Sequence, residues 1–316
     1  MMPERKKVLL IECDESIANE VQLEINDVFE TVWAKDLSAA DGILESEKIS
    51  YVLYKIEEPM DATFIDSHHE ADPSITFIIL VKNQFHKYLE VFTKRPYLKN
   101  FISCIPKITS EDIAIVLKKL HSQDIFGLSH YFDSSCDEFS VSVKDSHEKS
   151  SYIDQCMEFL RSSNLSSTLK ARLGNILEEL MMNILWDAPH DENGDPINNN
   201  KSRSEHIVLT DRQAGKVTVT YDDEYVGFSA SDPFGAIKME ILLSYLTKCF
   251  YGDEQIGSEN SKGAGLGLYM IYKISNNFTI NVSKGTQTEF LLLFRCKFSK
   301  RVGGAEKSFH YYEVEE

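Results

Sequence analysis

Glu179, Asn183 and Asp187 stand four residues apart in the segment Leu177-Glu178-Glu179-Leu180-Met181-Met182-Asn183-Ile184-Leu185-Trp186-Asp187. A helix puts all three on one face and lets most of the apolar residues turn toward a core. An amide oxygen is a hard neutral ligand for Mg²⁺, and a carboxylate one turn away can orient or deprotonate a nucleophile. The same spacing also fits a polar helix face in water, because short motifs match by chance.

A second segment runs Lys216-Val217-Thr218-Val219-Thr220-Tyr221-Asp222-Asp223 and continues through Glu224-Tyr225-Val226-Gly227-Phe228. Val217, Val219 and Tyr221 alternate, so they face a core, and Asp223 continues their parity just past the strand. A carboxylate there can accept a hydrogen bond from an exocyclic amine such as that of adenine, although Asp-Asp-Glu is also ordinary turn composition. The third segment, Ser261-Lys262-Gly263-Ala264-Gly265-Leu266-Gly267-Leu268-Tyr269, leads into apolar residues 270–274. Glycines allow close backbone approach to a phosphate, and a following helix N-terminus offers free N–H groups to it. No lysine with a following hydroxyl residue comes after the last glycine, and no strand immediately precedes the loop, which excludes the two commonest glycine-rich phosphate motifs.

These segments need elements to hold them. Residues 6 to 120 alternate short apolar runs with amphipathic stretches. Strands are expected at Lys7–Ile11, Thr31–Ala34, Tyr51–Ile56, Thr76–Val81 and Phe101–Ile105, and helices at Ser16–Phe29 and Ser38–Glu47. A closing helix is expected from Ser110, as its cap, to Leu120. Alternating strands and helices imply a doubly wound α/β domain over residues 1–124. Residues 125–137 change character and read as a linker. A strand at Phe139–Val143 then leads to helices at about 148–162 and 166–187, and a loop over 191–204. Strands at His206–Thr210 and Lys216–Tyr221 follow, with a helix over about 237–250 and another from the glycine loop through Ser275. Phe278–Ser283 and Glu289–Phe298 close an α+β sandwich over 138–301. Residues 302–316 lack a periodic pattern and read as a mobile tail.

The chain has 316 residues, 42% hydrophobic and 26% charged, enough apolar material for two cores. A net charge of -17 repels phosphate backbones and anionic lipid, so nucleic acid is not expected as a partner. The basic clusters at Arg5-Lys6-Lys7 and at Lys297, Lys300 and Arg301 read as solvated element ends. Six scattered cysteines form no C-x-x-C pair and suit a reducing compartment. No apolar stretch approaches the ~20 residues that span a bilayer. The expectation is a cytoplasmic protein without membrane insertion.

Taken in order, the three segments resemble the GHKL ATPase superfamily, which includes histidine kinases, anti-sigma serine kinases and gyrase-type ATPases. Residues 179–187 resemble its N box, 223–227 its adenine-binding box and 263–268 its glycine-rich box. Thr288-Glu289-Phe290 resembles the closing strand, where a threonine lies near the nucleotide. The resemblance implies a Bergerat-type fold binding ATP and Mg²⁺. Asn183 would hold the metal, with Asp187 beside it, Asp223 and Gly227 at adenine and Thr288 near the nucleotide. Gly263, Gly265, Leu266 and Gly267 would lie at the phosphates, and Glu179 would be the general base. The family's first glycine after the aspartate is Tyr225 here. Asp232, followed by Pro233-Phe234-Gly235, competes with Asp223 but ranks second, lacking an alternating strand immediately before it and the glycine spacing.

Residues 6–120 resemble a response-regulator receiver domain. Asp14 and Glu15 match its Mg²⁺-binding acidic pair. The phosphoacceptor position, four before Pro59, is Lys55; Val81 replaces the usual hydroxyl, and Ile105 the lysine before Pro106. A lysine amine cannot form an acyl phosphate, so this reads as a pseudo-receiver. Together the resemblances imply a bacterial signalling protein that acts on a protein partner as a serine/threonine kinase-like regulator, with homodimerisation left open. A non-catalytic ATP-dependent switch and, behind it, a histidine kinase are the alternatives. Ser146-His147-Glu148 does not sit in the paired helices that a histidine phosphoacceptor needs, and His68-His69 reads as a solvated loop.

Overall fold

The apolar run near the N-terminus becomes β1 (Lys6–Ile11), whose last four residues are buried. A strand buried on both faces belongs in the interior of a parallel sheet. In the computed structural model the described residues are 5–11, 15–56, 62–81, 88–103, 109–163, 165–191, 193–198, 200–251, 264–296 and 308–315. Two units emerge: residues 1–124 with 306–310, and residues 125–305 with 311–316.

In the first unit, β1 lies between β2 (Phe29–Ala34) and β3 (Ile49–Ile56), followed by β4 (Thr76–Val81) and β5 (Asn100–Ser103), all parallel. The order β2-β1-β3-β4-β5 is that of a flavodoxin-like doubly wound sheet. Helices α1 (Glu15–Ile25), α2 (Leu37–Ser46), α3 (Thr63–Ala71), α4 (Leu89–Thr93) and α5 (Ser110–Ser122) connect and follow the strands. One core packs Val21 and Ile25 of α1 and Ile113 and Leu117 of α5 with Leu10, Leu53 and Ile78 of the sheet. Asp36 caps α2 by accepting from the Ala39 N–H. Thr109 rather than Ser110 caps α5, because Thr109 and Asp112 close a reciprocal capping box. His68 and His69 lie on α3, not in a loop; His68 pairs with Asp41 at 2.7 Å and His69 stacks on Tyr97.

Near the C-terminus, residues 308–315 are described. Ser308–Val314 form a last strand, and its first-unit part pairs antiparallel with β5, Phe309 opposite Phe101 and His310 opposite Asn100. Phe309 and His310 are buried there. Burial, and then the nearby Lys119 charge, push the His310 imidazole down to about 3. The run Ser-Phe-His-Tyr-Tyr is aromatic enough to add a strand, so the expectation of a mobile tail does not hold for Ser308–Val314, while 302–307 lie outside the described residues.

In the second unit, the sheet order is β6 (Glu138–Val143), β7 (Gly215–Tyr221), β8 (Tyr225–Asp232), β10 (Gln287–Arg295) and β9 (Asn277–Ser283), every described pairing antiparallel. Helices α6 (Lys149–Phe159), α7 (Ser167–Met182), α8 (Met239–Tyr251) and α9 (Ala264–Ile274) complete an α+β unit, with α6 on α7, α7 on α9 and α8 on α9. Residues 206–210 form no strand; Val208 makes an isolated bridge with Asp145. Residues 125–137 belong to the body of this unit instead of forming a linker. Leu128 and Phe132 pack on Leu291 and Leu293, and a Cβ at Gly227 would lie 2.4 Å from the Phe132 ring. Glu289, also on this face, accepts from the Gly127 and Asn281 nitrogens and from the Ser229 hydroxyl.

Replacing Phe309 by Ala should lower stability by about 3–5 kcal/mol, the cost of emptying a filled aromatic site. Urea denaturation of the whole chain measures it. A residue in a mobile tail would cost less than about 0.5 kcal/mol.

Candidate functional site

β8 alternates Val226, Phe228, Ala230 and Asp232 toward one face of the sheet, and its pairing with β10 sets Thr288 opposite Asp232 and Phe290 opposite Ala230. Helix α7 crosses that face and ends in a widened π-type turn at Asn183–Asp187, closed by the Ala188 N–H on the Asn183 carbonyl at 2.8 Å. Such turns recur at functional sites because they redirect side chains at the end of an otherwise regular helix. Between these elements lies a cavity of about 300 Å³. Asn183, Asp187, Asp232 and Thr288 give it polar groups, while Leu180, Ile184, Ala230, Leu242, Leu268 and Phe290 give it apolar walls. A cavity of this size with a few convergent polar groups suits a small organic ligand.

Asp232 is the chemical centre of this arrangement. Burial pushes its carboxyl up to about 7, against the Phe234 and Gly235 N–H groups and the Thr288 hydroxyl, which hold it down. The Phe234 N–H donates to Oδ1 at 3.0 Å. Gly235 sustains this turn with φ +58, and a Cβ there would lie 2.0 Å from the Ser283 carbonyl oxygen. Asp187 is also raised by burial, opposed by Arg203, whose guanidinium donates to it at 2.8 Å. The Asn183 side-chain nitrogen is buried and has no hydrogen-bond partner among the described residues. A buried donor left unmet costs about 1–3 kcal/mol, and a ligand can recover it.

The expected site residues divide into two sets. Asn183, Asp187 and Thr288 are brought together on the cavity. Asp223 is not: it lies exposed in the turn between β7 and β8, where Asp222 accepts from the Glu224 and Tyr225 N–H groups. The hairpin is the reason. β7 runs to the turn, and β8 returns from it to deliver Asp232 to the helices. Gly227 lies against Leu128 and Phe132 on the opposite face, so its lack of a side chain serves packing. Gly265 and Leu266 fall in the first turn of α9, and Gly263 lies outside the described residues.

Glu179 is aimed elsewhere on α7. A Cβ at Gly267 would lie 2.0 Å from its Oε2, so the carboxylate packs onto the first turn of α9. Burial, and then Glu178, raise its pKa. Lys238, exposed on the segment before α8, and Tyr245 on α8 line the cavity too, and no sequence pattern marked either.

In the first unit, Lys55 lies near the carboxyl end of β3 opposite Leu80, and Val81 is buried at the end of β4. Glu15 opens α1, and Asp14, Pro59, Ile105 and Pro106 lie outside the described residues. No family model matches the chain, and no curated protein matches it. Among solved structures, several matches are to response-regulator or receiver-domain proteins. A response regulator from Thermotoga maritima is 21% identical, covers 38% of this chain and 99% of its own, and gives a TM-score of 0.33. The signal receiver domain of an HD domain-containing protein from Pseudomonas fluorescens Pf-5 is 20% identical, over 38% and 97%, with a TM-score of 0.33. A CheY-like receiver domain protein from Methanospirillum hungatei JF-1 is 15% identical, over 38% and 96%, at 0.32. The flavodoxin-like fold of the first unit rests on its own strand order. Among the described residues no helix is long and apolar enough to cross a membrane.

The raised Asp232 pKa has a defined sign in stability. The folded chain keeps the proton above the unfolded value near ~3.9, so this stabilisation is full below that pH and is lost as pH rises through about 7. Between about pH 5 and about pH 8, urea titrations of the unmodified chain should therefore lose roughly 2–3 kcal/mol more than those of Asp232→Asn.

Proposed function

We propose that the second unit binds Mg-ATP in the cavity between α7 and the β8–β10 pair, as a GHKL-type domain. The observation that carries this reading is the convergence of Asn183, Asp187, Asp232 and Thr288 on one cavity with apolar walls. The residues present fit the ligand. Asp232, when ionised, can accept from an exocyclic amine, with Thr288 beside it, and the apolar walls suit a purine ring. The orphaned Asn183 nitrogen has an acceptor to gain, such as a phosphate oxygen, and flipped the amide offers its oxygen to Mg²⁺ instead. Lys238 supplies a cation for phosphate, and the first turn of α9, with Gly265, Leu266 and Gly267, supplies N–H groups. In this reading the adenine role passes from Asp223 to Asp232, and Gly227 has none.

Bound Mg-ATP would supply an electrophilic phosphoryl group for a hydroxyl of a protein partner. Glu179 would act as general base, and its raised pKa suits that task. The domain would then be a serine/threonine kinase-like regulator in bacterial signalling, governed by the first unit as a pseudo-receiver. Lys55 at the phosphoacceptor position supports that last element, since its amine cannot form an acyl phosphate. A second reading, an ATP-dependent partner-binding switch without transfer, is favoured by one observation: Glu179 packs on Gly267 and does not line the cavity.

Calorimetric titration with ATP, with and without Mg²⁺, tests the site. Asp232→Asn and Asn183→Ala should each weaken binding at least about tenfold, a loss of some 1.4 kcal/mol. Asp223→Asn should change nothing; the reverse pattern would return the adenine to the hairpin turn. Glu179→Gln should keep affinity, and its ATP turnover then separates enzyme from switch. Treatment with a small phosphodonor should label no aspartate in residues 1–124. An aspartyl phosphate there would overturn the pseudo-receiver assignment.

A further inference from the structure

Among the described residues, one group of histidine, cysteine and acidic side chains brings its ligand atoms close enough to share a metal. Asp145, His147 and His206 place theirs within 4.8 Å of one another. The backbone builds this cluster from two distant segments. Asp145 starts the short turn Ser146–Glu148 and accepts from the His147 N–H at 2.8 Å. The second segment is laced to it on both sides. The Ser146 N–H donates to the Ile207 carbonyl at 2.9 Å, and the Ile207 N–H to the Ser146 hydroxyl at 2.9 Å. The Leu209 N–H then donates to the Lys144 carbonyl at 2.8 Å.

On this frame, His206 Nε2 lies 2.8 Å from Asp145 Oδ1. The His147 and His206 rings stack at 3.6 Å between centroids and 5° between planes. Two imidazoles and a carboxylate are thus presented together at the surface, on backbone that hydrogen bonds fix. Both histidines are exposed, so an ion has an entry path and the rings have freedom to turn. Nothing in the ATP-binding reading uses these residues.

We propose that Asp145, His147 and His206 form a binding site for a zinc-class divalent transition metal, with a fourth position left to solvent or a further ligand. Ligand type argues for that class. Imidazole suits zinc, copper and nickel, whereas Mg²⁺ and Ca²⁺ take all-oxygen sets. Distances are compatible. Ligand atoms about 2.0–2.2 Å from a tetrahedral ion lie roughly 3.3 Å apart. The His206–Asp145 pair must therefore open by about half an ångström, and the widest separation must close by about 1.5 Å, both within side-chain rotation. The bound ion would staple residues 206–209 to the turn that starts α6. That staple stands three residues beyond Arg203, the partner of Asp187.

The test is titration of the full-length, chelator-treated protein with zinc chloride by calorimetry, repeated with Mg²⁺. One equivalent of zinc should bind, magnesium should not compete, and zinc should raise the melting temperature. His206→Ala and Asp145→Asn should each weaken zinc binding at least about tenfold, since loss of an outer-shell partner alone costs about that much, and lower the thermal shift accordingly. His68→Ala serves as the control for other surface histidines and should bind as the unmodified chain does. Circular dichroism of the metal-free variants confirms that they fold; Asp145→Asn keeps the oxygen that accepts from His147. No zinc binding by the unmodified chain, or binding unchanged in both His206→Ala and Asp145→Asn, overturns the proposal. The readout contains no nucleotide, so its outcome is independent of the ATP-binding site.

Discussion

Glu289 is a carboxyl group buried inside a sheet, and much of the second unit is arranged around meeting its needs. Burying such a group without hydrogen bonds costs several kcal/mol. Three donors from three places answer it: the Gly127 backbone, the Ser229 hydroxyl on β8 and the Asn281 amide on β9. That set locks the register of β8-β10-β9 and pins residues 125–132 to the sheet. Because successive residues of a strand face opposite ways, fixing Glu289 on one face fixes Thr288 on the other, directly opposite Asp232. The polar floor of the cavity follows from a buried acid that never touches it.

Legibility in the sequence followed how strongly each element signals itself. β1, β3 and β4 are dense in Val, Ile, Leu and Tyr, and their expected spans agree with the observed ones within two residues at either end. β8 was hidden. Its Tyr-Val-Gly-Phe-Ser-Ala-Ser-Asp mixes small and polar residues that weaken strand propensity, and only position in the sheet restores the alternation. Without the returning strand only Asp223 has a strand before it in the sequence; β8 gives Asp232 one as well.

Gly227 shows the same limit from another side. A glycine at a motif-like spacing has a packing cause here, the Phe132 ring pressed against its backbone. That contact joins residues 95 positions apart, Gly227 and Phe132, and no local pattern encodes it. Asn183, Asp187 and Thr288 come to one cavity through a helix face and a strand end, which carry their own geometry in the sequence. Lys238 and Tyr245 have no such local signal, because only the tertiary path brings them to the cavity wall.

The widened turn at Asn183–Asp187 has a consequence for how this protein can vary. A π-type turn holds one residue more than the helix around it, and such turns are rare. Deleting one residue there would restore a regular helix, a change that backbone energetics alone would favour. It would also rotate every later side chain about the helix axis, swinging Trp186 and Asp187 away from their present neighbours. The turn is thus a point where length and aim are coupled. A one-residue deletion there would leave a regular helix but a cavity lined by different side chains.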